Sequence, residues 1–105
     1  MIQCKSEREL GEGLKYRKYI SENYDINVIY MDEKLFRVDI ICKKFMYPEI
    51  FIDIENDTYT AWLQYGQLCV SDKNRLKFLD GYNAAVQFFD NELKPFVEKL
   101  ISVSK

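Results

Sequence analysis

The chain has 105 residues, 48% of them hydrophobic, enough to expect one domain over 1–105 that buries its own core without staples. Its 15 basic and 17 acidic residues nearly cancel, so no overall field holds it on nucleic acid or an anionic membrane. No apolar run approaches the roughly 20 residues of a bilayer span and the opening MIQCKSEREL lacks the apolar core of a signal peptide, so the expected location is cytoplasmic, with no membrane partner.

Residues 6–24 read as a first helix. Ser6 and Glu9 stand at the capping-box spacing, and Leu10, Leu14 and Ile20 follow at helical intervals. Gly11 and Gly13 oppose this reading, each costing about 1 kcal/mol relative to Ala in a helix interior. Either the helix starts near Gly13 or the backbone there lies close against something.

From Ile26 the period changes to two. A turn at Asp32 to Lys34 pairs Tyr30 with Phe36, Val28 with Val38 and Ile26 with Ile40, all on one face. A second hairpin turns at Asn56-Asp57 and sets Ile54 against Tyr59, Ile52 against Ala61 and Ile50 against Leu63, again giving a continuous apolar face. The segment 66–80 is open between a third hairpin turning at Asp72 to Asn74 and an irregular crossing. From Asp80 or Tyr82 a helical stripe of Ala85, Val86, Phe89, Leu93, Phe96, Val97 and Leu100 is wide enough to cover a sheet. Pro95 interrupts it by removing a backbone donor. The expected fold is α+β: an antiparallel β-meander of four or five strands, flanked by an N-terminal helix and by a long C-terminal helix, kinked or broken near Pro95, that packs on one sheet face.

The stretch EIFIDIEND, from Glu49 to Asp57, places acids at alternate positions between isoleucines. Period two sends Glu49, Phe51, Asp53 and Glu55 to the face opposite Ile50, Ile52 and Ile54. In the same register Phe51 lies opposite Trp62, Asp53 opposite Thr60 and Glu49 opposite Gln64, so an aromatic pair is ringed by acids and amides. Ile29, Met31, Ile41, Arg37, Asp39 and Lys43 share that face, which the first helix or a second copy could cover. A catalytic metal would need converging carboxylates with a lysine or histidine nearby. The chain has no histidine, and no strand lysine follows Asp53 and Glu55 at short spacing.

The other chemistry is thin. Cys4, Cys42 and Cys69 lack the CxxC spacing of a zinc site and have no imidazole to activate a thiolate, so they read as reduced thiols. The glycines of GEG, at 11–13, follow no strand as a phosphate loop would. KYRKYI (Lys15 to Ile20) and KKFMYP (Lys43 to Pro48) interleave basic and aromatic residues in the manner of single-strand nucleic-acid binders. Helical geometry would spread Lys15, Arg17 and Lys18 around a surface, and the second stretch reads as a packed loop. No catalytic residues, metal site or cofactor are therefore expected.

Exposed Phe and Trp on a charged face are characteristic of interface hot spots. The sequence leads to a small cytosolic binding protein of inhibitor or immunity type, which neutralises a toxin, nuclease or defence protein. Its partner-binding residues are Glu49, Phe51, Asp53, Glu55, Trp62 and Gln64, set against a basic site. In size and organisation the chain resembles the small toxin-neutralising and phage-encoded inhibitor proteins of bacteria, without a shared motif. The alternative is a structural or assembly subunit forming a homodimer or higher homo-oligomer through the same face, and the third is single-stranded nucleic-acid binding.

Overall fold

The computed structural model describes residues 2–44, 47–65 and 75–103, without the side chains at 8–10 and 77–78. Among the described residues six antiparallel strands lie in chain order: β1 (Gln3–Gly11), β2 (Leu14–Ser21), β3 (Tyr24–Met31), β4 (Lys34–Cys42), β5 (Glu49–Glu55) and β6 (Thr58–Gln64). One helical run follows, made of α1 (Arg75–Phe88), a π turn (Phe89–Leu93) and α2 (Lys94–Val103).

The expected N-terminal helix over 6–24 does not form, and the described residues give the sheet six strands instead of four or five. The reason lies at the two glycines. Gly11 (φ 145°) and Gly13 (φ 72°) bracket a tight β1–β2 turn, in backbone regions that residues with a Cβ avoid. A Cβ at Gly13 would run into the Asp32 carboxylate, and the Gly13 carbonyl accepts a hydrogen bond from the Asp32 N–H at 2.8 Å. β2 then pairs along its whole length with β3, from Leu14 opposite Met31 to Ser21 opposite Tyr24. That ladder outweighs the local helix signal, which two interior glycines had already weakened.

The β3–β4 and β5–β6 hairpins keep their expected inner faces, with one exception. Val28 opposes Val38 and Ile26 opposes Ile40, but a register shift after Ile29 sets Tyr30 against Leu35. The expected Tyr30–Phe36 pair is thus replaced: Leu35 is buried, and Phe36, the extra residue of the bulge, is exposed. The β5–β6 register runs from Glu49 opposite Gln64 to Glu55 opposite Thr58, with Ile50, Ile52 and Ile54 facing Leu63, Ala61 and Tyr59. The turns before β4 and β6 hold φ of 50° and 67° at Asp32 and Glu33, and of 51° and 64° at Asn56 and Asp57. These are the left-handed conformations whose twist suits two-residue hairpins.

The helical run lies on one face, called inner below. It starts at Arg75, ahead of the expected Asp80 or Tyr82, so that 75–80 are helical. The possible hairpin turn at 72–74 lies outside the described residues. Pro95 supplies no N–H, and the chain accommodates it with the π turn, in which the Lys94 N–H bonds the Phe89 carbonyl and the helix continues. Ala85, Phe88, Leu93, Val97 and Ile101 close over Tyr24, Ile26, Val28, Leu35, Val38, Ile40, Ile50 and Ile52 to form the core. Val86, expected in this stripe, is exposed, whereas Phe88 and Ile101 are buried. Each buried Val, Leu, Ile or Phe contributes about 1.5–3 kcal/mol, so this single layer contact dominates stability. Tyr24 stacks on Phe88 at 4.0 Å between ring centroids, and Tyr19 meets Phe96 edge-on at 5.0 Å. Among the described residues no helix is long and apolar enough to cross a membrane.

Candidate functional site

With the helix committed to the inner face and no N-terminal helix present, no described element covers the outer face. Alternation in β5 follows from burial: Ile50 and Ile52 enter the core, so Glu49, Phe51, Asp53 and Glu55 point away from it. Phe51 lies between Asp39 on β4 and Trp62 on β6, and Asp53 between Arg37 and Thr60. Gln64 is paired with Glu49 at the end of the hairpin, and both are exposed. Trp62 is 47% exposed, while Phe51 and Asp53 are half-buried.

Arg37 organises the centre of this face. Its guanidinium carbon sits 4.9 Å from the Phe51 ring centroid, and its Nε lies 2.6 Å from Asp39 Oδ1 and 4.0 Å from Asp53 Oδ1. Cation–π and ion-pair contacts thus hold one cation over the aromatic ring and between two acids. Asp53 is therefore partly neutralised within the molecule. Glu49 and Glu55 are exposed and make no side-chain ion pair among the described residues. The β5–β6 pairing and the inner part of β3–β4 were readable from the sequence, but the first hairpin and the pairing between β4 and β5 that brings Arg37 to Phe51 were not. The signal available was weaker: Arg37, Asp39, Phe51 and Asp53 all fall on outer-face parities.

The face continues across the sheet through Ile29 opposite Tyr16, and includes Met31 (44% exposed) and Ile41 (39% exposed). Lys43 Nζ lies 3.4 Å from Asp25 Oδ2. The result is a mixed surface in which apolar side chains alternate with ion pairs.

On the inner face, beyond the reach of the helix, a cleft of about 650 Å³ is bordered by Lys15, Arg17, Tyr30 and Asp32. The stretch KYRKYI is strand here and not helix, so Lys15 and Arg17 share the inner face, opposite Tyr30 and Val28, while Lys18 points outward opposite Asn27. Lys15 Nζ lies 2.6 Å and Arg17 Nε 3.4 Å from the two carboxylate oxygens of Glu7. The Lys15 hydrogen bond, aided by the nearby Arg17 charge, lowers the Glu7 carboxyl below its usual value. Burial raises the Tyr30 phenol, over whose ring Arg17 sits at 5.8 Å. Both cations share the one carboxylate of Glu7, which reduces the charge they offer to a phosphate backbone.

In the loop after β4, Lys44 lies 5.5 Å from the Tyr47 ring centroid and Pro48 is buried, while 45–46 fall outside the described residues. Cys4 is exposed, Cys42 half-buried, and both are free thiols; Cys69 is outside the described residues. Among the described residues no three His, Cys, Asp or Glu side chains converge so as to hold a metal ion. No protein-family model matches the chain, and no curated protein or solved structure matches it significantly.

Proposed function

We propose that the chain is a binding protein of inhibitor or immunity type, which neutralises a macromolecular partner through the outer face of β5–β6. Trp62 is the anchor, Phe51 with its stacked Arg37 forms the floor beside it, and Glu49, Asp53 and Glu55 complement a basic site on the partner, with Gln64 at the rim. The observation that carries this reading is the exposure of Trp62 on a sheet face that no described element covers, within a ring of carboxylates. Aromatic anchors of this kind slow dissociation, and acids around them steer a basic partner and raise the on-rate. The proposed role needs no catalytic residue, metal or cofactor.

The double substitution Trp62→Ala with Asp53→Lys tests it. Immobilised wild-type protein should capture a partner from the source cell's lysate, identified by mass spectrometry; the double variant should not, while its melting temperature stays nearly unchanged. Unfolding of the variant would place these side chains in the structural core and remove the proposed site. A second reading, self-association through the same face, is favoured by the apolar continuation over Tyr16, Ile29, Met31 and Ile41. Light scattering after size exclusion separates the two: a dimer with quenched solvent access to Trp62 supports the assembly subunit, and a monomer with exposed Trp62 fluorescence supports a foreign partner.

A further inference from the structure

The two edges of the sheet are built differently. β1 contains Lys5, Glu7, Arg8 and Glu9, and its pairing with β2 shifts register between Cys4 and Ser6 and again between Glu9 and Gly11. Charge and bulges are how a sheet edge resists another strand. β6, TYTAWLQ, has no charged residue, no proline and no glycine, and it pairs with β5 without a register shift.

The two-residue turn makes Glu55 and Thr58 a hydrogen-bonded pair, and alternation then makes Asp53–Thr60, Phe51–Trp62 and Glu49–Gln64 hydrogen-bonded as well. The backbone N–H and C=O groups of Tyr59, Ala61 and Leu63 therefore point away from β5, toward an edge where no described strand lies.

We infer that β6 accepts an extended segment of the partner as a seventh antiparallel or parallel strand, one in which Lys or Arg alternates with apolar residues. This rests on the docking reading above and specifies what docks. The alternation follows from the surroundings. On the outer face the short Thr58 and Thr60 stand in front of Glu55 and Asp53, which are two strand spacings, about 10 Å, from an added strand. A lysine opposite either threonine can lean across it to a carboxylate. On the inner side the added residues meet Tyr59, Ala61 and Leu63, where apolar side chains fit. Main-chain bonds then supply affinity and the alternating side chains supply selectivity.

A capped seven-residue peptide of alternating Lys and Val, titrated into the full chain, is the probe. The amides of Tyr59, Ala61 and Leu63 should shift and exchange more slowly, and a peptide with Glu in place of Lys should not bind. Ala61→Pro removes one outward N–H at an edge position where proline leaves the β5–β6 ladder intact, and should weaken binding about tenfold or more. Thr60→Lys, which leaves the backbone unaltered, should weaken it through like charge. The inference is overturned if the three amides do not respond, if both variants bind like wild type, or if the same amides become protected with rising protein concentration and no peptide, which would make the occupant a second copy. A partner lost by the Trp62 and Asp53 double variant yet retained by Ala61→Pro would leave the docking face standing and remove the strand addition.

Discussion

The first and last hairpins close opposite ends of the same sheet, yet they are specified by different means. In β5–β6 one side of β5 is sealed in the core at Ile50 and Ile52, so the alternating acids have only one place to go. In β1–β2 no residue of β2 is fully buried, and both its faces carry a lysine and a tyrosine, Lys15 and Tyr19 inside, Lys18 and Tyr16 outside. The helix reaches that end through the Tyr19–Phe96 contact, but Lys15 and Arg17 lie in a cleft beyond it. A strand's parity is written into its sequence only when one face is dry. Where both faces are half wet, turn geometry and cross-strand pairing determine the structure instead.

The largest difference between the two ends should be thermodynamic. Ile52→Ala, at a position with no exposure, should cost about 3–4 kcal/mol through lost burial and a cavity in the packed layer. Ile20→Ala on β2 removes the same atoms from a half-exposed site and should cost about 1 kcal/mol. Urea unfolding of both variants checks the contrast. Equal costs would mean that β2 is covered in solution, by a second copy or by some other partner.

Tyr24 marks the border between the covered and open parts of the inner face. Only 7% exposed and stacked on Phe88, its phenol is pushed up to about 12, chiefly by burial. The unfolded chain titrates near the ordinary value of about 10, so between pH 10 and 12 the unfolded state gives up the proton that the folded state retains. The stabilisation is complete below pH 10 and disappears as pH rises through about 12, a loss on the order of 2 kcal/mol. Tyr24→Phe should remove this part of the alkaline decline while preserving the ring stack. Denaturant midpoints of both proteins from pH 9 to 12 measure it.

At the first hairpin the critical feature is backbone. Gly13→Ala forces a Cβ into a left-handed conformation and against the Asp32 carboxylate, which should cost about 1–2 kcal/mol. The effect should be local, with faster hydrogen exchange at the Asp32 amide and unchanged protection in β5.

These contrasts explain what the sequence could and could not convey. The pairing of Ile50, Ile52 and Ile54 with Leu63, Ala61 and Tyr59 was legible because isoleucines alternate with acids, and with it came the placement of Phe51 and Trp62 on the outer face. The bulge at Phe36 was not, since Leu35 and Phe36 are adjacent and either could fill the inner slot. The first hairpin was read as helix because Leu10 and Leu14 are four apart. In the structure a turn separates them, and GEG ahead of Tyr16, Tyr19 and Ile20 was the cue that weighed against the helix, since the run before it, QCKSEREL, holds no strong β-former. Arg37 over Phe51 depends on the β4–β5 register, which no local pattern encodes.

The smallest expected effect compares the two left-handed turns directly. Asn56 and Asp57 hold positive φ at modest cost, because short polar side chains tolerate that region, whereas Glu33 at φ 67° gains no such relief. Glu33→Gly should therefore stabilise the fold by about 0.5–1 kcal/mol, the relief of strain exceeding the extra freedom that glycine gives the unfolded chain. Asp57→Gly, at nearly the same φ of 64°, should gain less than half as much. Thermal melts of the two variants measure the difference. A larger gain at Asp57 would mean that the Asn56-Asp57 turn is the more strained of the two, and that the β5–β6 register is held by the isoleucine layer against its own turn.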